Sequence, residues 1–145
     1  MSTGNYKHSL TVRFSDVDML GHTNNASYFS FMEEARISYF KKLGYDAKDY
    51  QTRCPIILVE ASCRYKAPSF VGDVLDIHLW ISELKEKSFT MDYEIKDQKT
   101  QKLIALAKST QVTYDYANKK VISMPADLKQ KIESIEGKTF TLPSS

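Results

Sequence analysis

A single helical stretch followed by a long run of period-two alternation constrains this chain more than any other feature. From about Ala26 to Leu43, residues Tyr28, Met32, Ala35, Tyr39 and Leu43 share one stripe, widened by Phe29, Phe31 and Phe40. The remaining arc carries Ser27, Ser30, Glu34, Ser38 and Lys41. Asn24 or Asn25 can cap the N-terminus, and Gly44 suits the position just past the C-terminus. Lys41 and Lys42 oppose the negative dipole end. So wide an apolar arc predicts a helix embraced by other structure.

After the helix the period changes. Ile57, Val59, Ala61, Cys63 and Tyr65 share one predicted strand face. Leu75, Ile77, Leu79 and Ile81 share the next, and Phe89, Met91, Tyr93 and Ile95 a third. Leu103–Tyr114 reads as a fourth long strand with less regular alternation. The connections Pro68–Asp73, Ser82–Lys87 and Lys96–Gln101 are hairpin-sized, so successive strands are expected to run antiparallel. Ser9–Phe14 reads as a strand ahead of the helix, and Pro125–Ile135 as a short terminal helix. Residues 1–5 read as a loose leader and Thr139–Ser145 as a loose tail. This order predicts an α+β fold, one long helix wrapped by a curved five-stranded antiparallel sheet, with residues 1–145 as one domain. Val74, Trp80, Ile104, Leu106, Val112 and Tyr114 do not all fit on the helix-facing side, which predicts subunit association.

Composition enters by exclusion. Lys and Arg number 20 against 18 Asp and Glu, so no broad field draws the chain to nucleic acid or an acidic membrane. Cys54 and Cys63 lack CxxC spacing and are too few for a disulfide framework or zinc site. Met1–Ser9 is polar, and no apolar run reaches the length of a membrane span, so the reading is a soluble cytoplasmic protein. With five glycines and neither a phosphate-cradling loop nor a dinucleotide fingerprint, hydride transfer and P-loop chemistry have no support.

The chemistry concentrates in Asp16-Val17-Asp18-Met19-Leu20-Gly21-His22-Thr23-Asn24-Asn25, immediately before the helix. A helix N-terminus offers unpaired N–H groups and a positive dipole end. A carboxylate beside it can act on a carbonyl whose oxygen those groups hold, an oxyanion hole with a base or nucleophile. The same residues also suit a polar turn that satisfies its own backbone, and composition leaves both readings open. A calcium loop is excluded, because Leu20 takes its third ligand position and Ser27 falls where a bidentate Glu is needed.

The stretch Val12-Arg13-Phe14-Ser15-Asp16-Val17-Asp18-Met19-Leu20-Gly21-His22-Thr23-Asn24-Asn25, with Tyr28 and Glu33-Glu34-Ala35-Arg36, resembles the opening signature of the hotdog-fold acyl-CoA thioesterases of the 4-hydroxybenzoyl-CoA thioesterase type. Tyr65 to Leu75 resembles the strand-turn-strand after the family's helix, and Lys85-Glu86-Lys87-Ser88-Phe89 its next basic turn. The resemblance runs from about Thr11 to Tyr114.

The resemblance implies Asp18 as the catalytic carboxylate, either attacking the thioester carbonyl or activating water. It implies the backbone N–H of Asn25 as the oxyanion donor. Lys85, Lys87 and Ser88 would touch the phosphates of coenzyme A, although Glu86 departs from the Arg-rich form of that turn, and a solvated hairpin is the other reading. Asp16 has a quieter role at neighbouring N–H groups. His22 would either touch substrate or order the loop, the second being favoured. Glu33 and Arg36 read as a structural i, i+3 pair. Tyr28, Phe29, Phe31 and Met32 are candidates for lining an acyl pocket. The resemblance implies no metal or bound cofactor, coenzyme A being part of the substrate, and a homodimer or homotetramer with the site between subunits. The rivals are an acyl carrier protein thioesterase and a non-catalytic acyl-thioester-binding hotdog protein.

Overall fold

The computed structural model describes residues 6–141. Six strands, β1 (Tyr6–Thr11), β2 (Ile56–Tyr65), β3 (Val74–Leu84), β4 (Ser88–Asp97), β5 (Leu103–Asp115) and the two-residue β6 (Lys120–Val121), accompany helices α1 (Ser27–Lys42) and α2 (Ala126–Glu136). The sheet runs β1-β3-β4-β5-β2, with every pairing antiparallel and β6 attached to β5. It curls around α1, as the helix-then-alternation pattern predicts, and this is the hotdog arrangement that the resemblance implies.

The inward faces of the two central hairpin strands build the core. Leu75, Ile77, Leu79 and Ile81 of β3 and Phe89, Met91, Tyr93 and Ile95 of β4 are buried, packing on Tyr28, Phe31, Met32, Ala35, Tyr39 and Phe40 of α1. Alternation located these faces because each strand buries one side only. Phe29, expected in the apolar arc, is 38% exposed.

Three expectations are corrected. First, β1 covers Tyr6–Thr11 and not Ser9–Phe14, since its ladder with β3 ends at Thr11↔Val74. Phe14–Asp16 is a 3-10 turn, and Phe14 is exposed. Second, a register shift between Leu58 and Glu60 inverts the start of β2. Ile56 and Leu58 pair with the inward Thr113 and Gln111, while Ile57 and Val59 leave the face that Ala61, Cys63 and Tyr65 keep. Third, β2 and β3 are not neighbours. β2 is the edge strand beside β5, and residues 66–73 cross to the other side of the sheet, where β3 pairs with β1. Eight residues reach that far because an extended chain covers about 3.3 Å per residue.

The crossing segment fixes the neighbourhood of the α1 N-terminus. Thr23 donates its N–H to the Ser69 carbonyl (2.8 Å), His22 bridges Phe70, and Gly72 donates to the Val12 carbonyl (2.9 Å). Helix α2 covers the core with Leu128 and Ile132, both fully buried. The expected tail is anchored at Phe140, whose N–H donates to Glu133 (2.8 Å). The leader at 1–5 and the final residues 142–145 lie outside the described residues.

Candidate active site

The loop before α1 begins with a buried carboxylate. Asp16 accepts from the Arg13 backbone N–H (2.8 Å), from Arg13 Nε (3.3 Å) and from Arg13 Nη2 (3.2 Å). Its carbonyl accepts from the Asn24 N–H (2.8 Å) and the Ser27 hydroxyl (3.1 Å). Burial pushes the Asp16 carboxyl up, but the bonds from Arg13 outweigh it and hold the group below the usual carboxylate range. Asp16 therefore ties the loop to the helix start.

Asp18 opens a tight turn. Its N–H donates to the His22 carbonyl (2.9 Å), the Gly21 N–H donates back to Asp18 (3.0 Å), and Asp18 Oδ1 accepts from the Leu20 N–H (2.9 Å). Gly21 closes the turn at φ 81°, the left-handed region that a side chain would strain. The Asp18 side chain faces solvent, and Met19 and Leu20 stand exposed at the tip. The His22 ring meets Phe70 edge-on at 5.2 Å, which orders the loop against the crossing segment.

At the helix start the amides are almost all committed. Asn24 donates to Asp16, Ala26 to the Asn24 side chain (2.9 Å), Ser27 to the Asn24 carbonyl (2.9 Å) and Tyr28 to the Asn25 carbonyl (3.3 Å). The Asn25 N–H alone in this series has no acceptor among the described residues. Asn24 is thus the residue whose side chain caps, and the formal N-cap Ala26 contributes none. Around this amide lies an open cleft of about 270 Å³, lined by His22, Asn25, Tyr28, Tyr65, Lys66 and Pro68 among others.

Two supports were not foreseen. The Tyr65 hydroxyl donates to the Asn25 carbonyl (2.9 Å). Ser69, fully buried, shares hydrogen bonds with the Tyr28 hydroxyl (2.7 Å) and the Thr23 hydroxyl (2.5 Å). Alternation placed Tyr65 on a strand but gave no sign that β2 ends beside the helix start.

Of the expected site residues, His22 and Asn25 meet on this cleft. Asp18 stands on the adjoining turn, and its side chain is not on the cleft wall. Lys85, Lys87 and Ser88 sit together in the β3–β4 turn, where the Lys85 backbone N–H donates to the Ser88 carbonyl (2.8 Å). Glu86 joins Ser123 (2.8 Å) in the same region. Tyr65 pairs near Ala105 and Ser88 pairs near Val112, seven residues along β5. That separates the two regions by about 23 Å at strand rise. One chain therefore does not bring these groups together.

Of the expected acyl-pocket residues, Tyr28 lines the cleft, Phe31 and Met32 belong to the closed core, and Phe29 is exposed. The expected Glu33–Arg36 pair does not form. Arg36 turns inward and donates from Nη1 to the Tyr93 hydroxyl (3.1 Å), because that oxygen lies in the buried polar row of Tyr93, Ser109 and Gln111.

Neither cysteine offers a thiolate. Burial pushes the Cys54 thiol up to about 12 and raises Cys63 as well. Among the described residues no three His, Cys, Asp or Glu side chains gather as a metal site, and no helix is long and apolar enough to cross a membrane. The arrangement offers one uncommitted amide at the positive end of the longest helix, on a residue that lines a cleft, with a solvated carboxylate on the preceding turn. Such a donor suits an oxygen that gains negative charge.

The family model described as the thioesterase-like superfamily matches residues 12–132. The chain is 27% identical over 128 residues to the long-chain acyl-CoA thioesterase FadM of Escherichia coli, covering 87% of this chain and 96% of that protein. It is 28% identical over 130 residues to a 1,4-dihydroxy-2-naphthoyl-CoA hydrolase of Crocosphaera subtropica, covering 88% and 95%. A thioesterase from Thermus thermophilus, solved in complex with coenzyme A and zinc, shares the fold at TM-score 0.83 and 24% identity, covering 97% of this chain and 100% of that one.

Proposed function

The chain belongs to the thioesterase-like superfamily, and from that premise we propose that it hydrolyses acyl-CoA thioesters to a carboxylic acid and coenzyme A. The observation that carries this reading is the uncommitted Asn25 amide at the α1 N-terminus, on a residue that lines a cleft and follows the Asp18 turn. The Asp-x-Asp spacing also fits the narrower 4-hydroxybenzoyl-CoA thioesterase type.

The thioester carbonyl oxygen sits on the Asn25 N–H. As a nucleophile attacks, the charge growing on that oxygen is met by an amide and a dipole already in place, so little reorganisation opposes the step. Asp18 acts in one of two ways. As general base it takes a proton from water while the water oxygen bonds to the carbonyl carbon. The tetrahedral intermediate then expels the coenzyme A thiolate as the C–S bond breaks. As nucleophile its carboxylate oxygen forms the new bond itself, releases the thiolate, and leaves a mixed anhydride that water opens. Asp16 cannot substitute, since its oxygens are engaged by Arg13.

Completion of the site falls to a second copy. Asp18 projects to solvent, and Lys85, Lys87 and Ser88 lie at the far end of their own sheet. A dimer that sets one copy's β3–β4 turn against the other's helix start gives the phosphates of coenzyme A their cations.

Free-thiol release from a panel of acyl-CoA esters tests the reading. Asp18→Asn should lower kcat by about 100-fold or more while the protein stays folded. A variant within threefold of wild type removes Asp18 from the chemistry. Single turnover in heavy-oxygen water separates the two roles, since only a nucleophilic Asp18 acquires the label.

A further inference from the structure

A second cleft, of about 220 Å³, opens between α1, β2 and β5. Ile37, Phe40 and Leu58 give it apolar walls, the exposed carboxylate Glu33 also lines it, and three side chains with donors reach it: Arg36, Tyr50 and Gln111. Each has donor capacity left over. Arg36 is half-buried and makes no ion pair among the described residues, Glu33 of the same cleft included. Its hydrogen bond to Tyr93 uses one of five N–H donors. The Tyr50 hydroxyl is buried with no partner among the described residues. Gln111, 1% exposed, accepts from Ser109 and spends one amide hydrogen on the Phe89 carbonyl, leaving the second. A half-buried guanidinium without an ion pair among the described residues, beside buried donors, is a combination that a closed core avoids and a ligand site uses.

The two clefts lie along the same pair of elements. Both have walls from α1 and β2, and Arg36 lies about 16 Å from Asn25 along the helix direction. The inward side chains between them are small: Ala61 and Cys63 on β2, Ala107 and Ser109 on β5. Their partners on β4, Met91 and Tyr93, are bulky, so the smaller side chains lie on the β2 side.

We propose that the acyl group runs along this path, and that the preferred substrates carry an acceptor oxygen at the far end of a medium-length acyl chain, received by Arg36, Gln111 and Tyr50. The proposal rests on the thioesterase reading and narrows its substrate class. A hydroxyl and a carboxylate share the acceptor chemistry, and the experiment distinguishes them.

Free-thiol release is measured on the full chain with dodecanoyl-CoA and with its ω-hydroxy and ω-carboxy counterparts. Wild-type kcat/KM should be at least about tenfold higher for one or both oxygenated esters, because a site built for a hydrogen bond rejects the analogue that lacks it. The carboxylate arm reports the guanidinium charge and the hydroxyl arm the neutral donors. Arg36→Met should bring the oxygenated-to-plain ratio to within about twofold of one. Tyr50→Phe and Gln111→Leu should lower that ratio by smaller amounts, and they serve if Arg36→Met does not fold. Equal wild-type rates for all three esters overturn the proposal while leaving the thioesterase reading standing. A ratio unchanged in Arg36→Met, with loss of the dimer, overturns it too and assigns Arg36 to a carboxylate of the second copy. No thiol release from any ester removes the premise itself.

Discussion

Asp16 and Asp18 stand two positions apart and meet opposite surroundings. Asp16 is 5% exposed and saturated by Arg13, whereas Asp18 faces water and spends one oxygen on the Leu20 amide. Removing the first should therefore cost stability, and removing the second activity. The Asp16 carboxyl lies below its ordinary value in the fold, so the stability it contributes is present above the ordinary carboxylate range. That contribution is lost as pH falls through the lowered value. Asp16→Asn should depress Tm at pH 7 and flatten its decline between pH values near the ordinary and lowered ranges; an unchanged acid limb would contradict this. Tyr65 offers a subtler case, since its hydroxyl holds the Asn25 carbonyl and not a reacting atom. Tyr65→Phe keeps the ring and loses the bond. It should lower kcat by about fivefold to twentyfold with KM within twofold and Tm unchanged. A shift in KM alone would make Tyr65 a binding surface and not a positioning residue.

Helix α2 shows how an element's role is decided by what it covers. Alternation and helical period placed it at Pro125–Ile135, close to the observed Ala126–Glu136, but did not indicate its target. It seats Leu128 and Ile132 in the core, and Asp127 accepts from the Tyr45 hydroxyl (2.6 Å). Its last residue, Glu136, accepts from the Tyr39 hydroxyl (2.5 Å) and from the Ile81 N–H (3.1 Å). Ile81 lies beyond Tyr6↔Leu79, the last described pair of β1 with β3, and Glu136 serves its amide. Burial pushes the Glu136 carboxyl up, and the two bonds only partly draw it back. An acid raised in the fold favours its protonated form, so stability should fall as pH rises from the ordinary glutamate range through the raised value. Glu136→Gln keeps an acceptor for the Ile81 amide and removes the charge. Its Tm should lose that pH dependence; a variant that tracks wild type across the window would place the titration elsewhere.

At the scale of the whole molecule, β2 is an edge strand with Leu58 and Val59 about half exposed, and Ile37 and Phe29 of α1 are exposed as well. An exposed edge carrying apolar side chains invites pairing with another copy. Light scattering should show a dimer or larger species. Val59→Lys should shift it toward the monomer and reduce thiol release in parallel, while the monomer keeps its fold; a fully active monomer would rule out a shared site. The sequence by itself determined the long helix, the alternating faces of β3 and β4, and the chemistry-rich loop, because period and residue type depend on near neighbours along the chain. It misplaced β1, whose ladder stops at Thr11, and the first half of β2, where a bulge of one residue inverts the strand's faces without altering its apolar content. Tertiary structure alone decided that β2 and β3 lie at opposite sides of the sheet, that Tyr65 and Ser69 brace the start of α1, and that Arg36 turns from Glu33 to Tyr93. Those facts concern residues tens of positions apart, and only the closing of the sheet around the helix brings such residues within hydrogen-bonding distance.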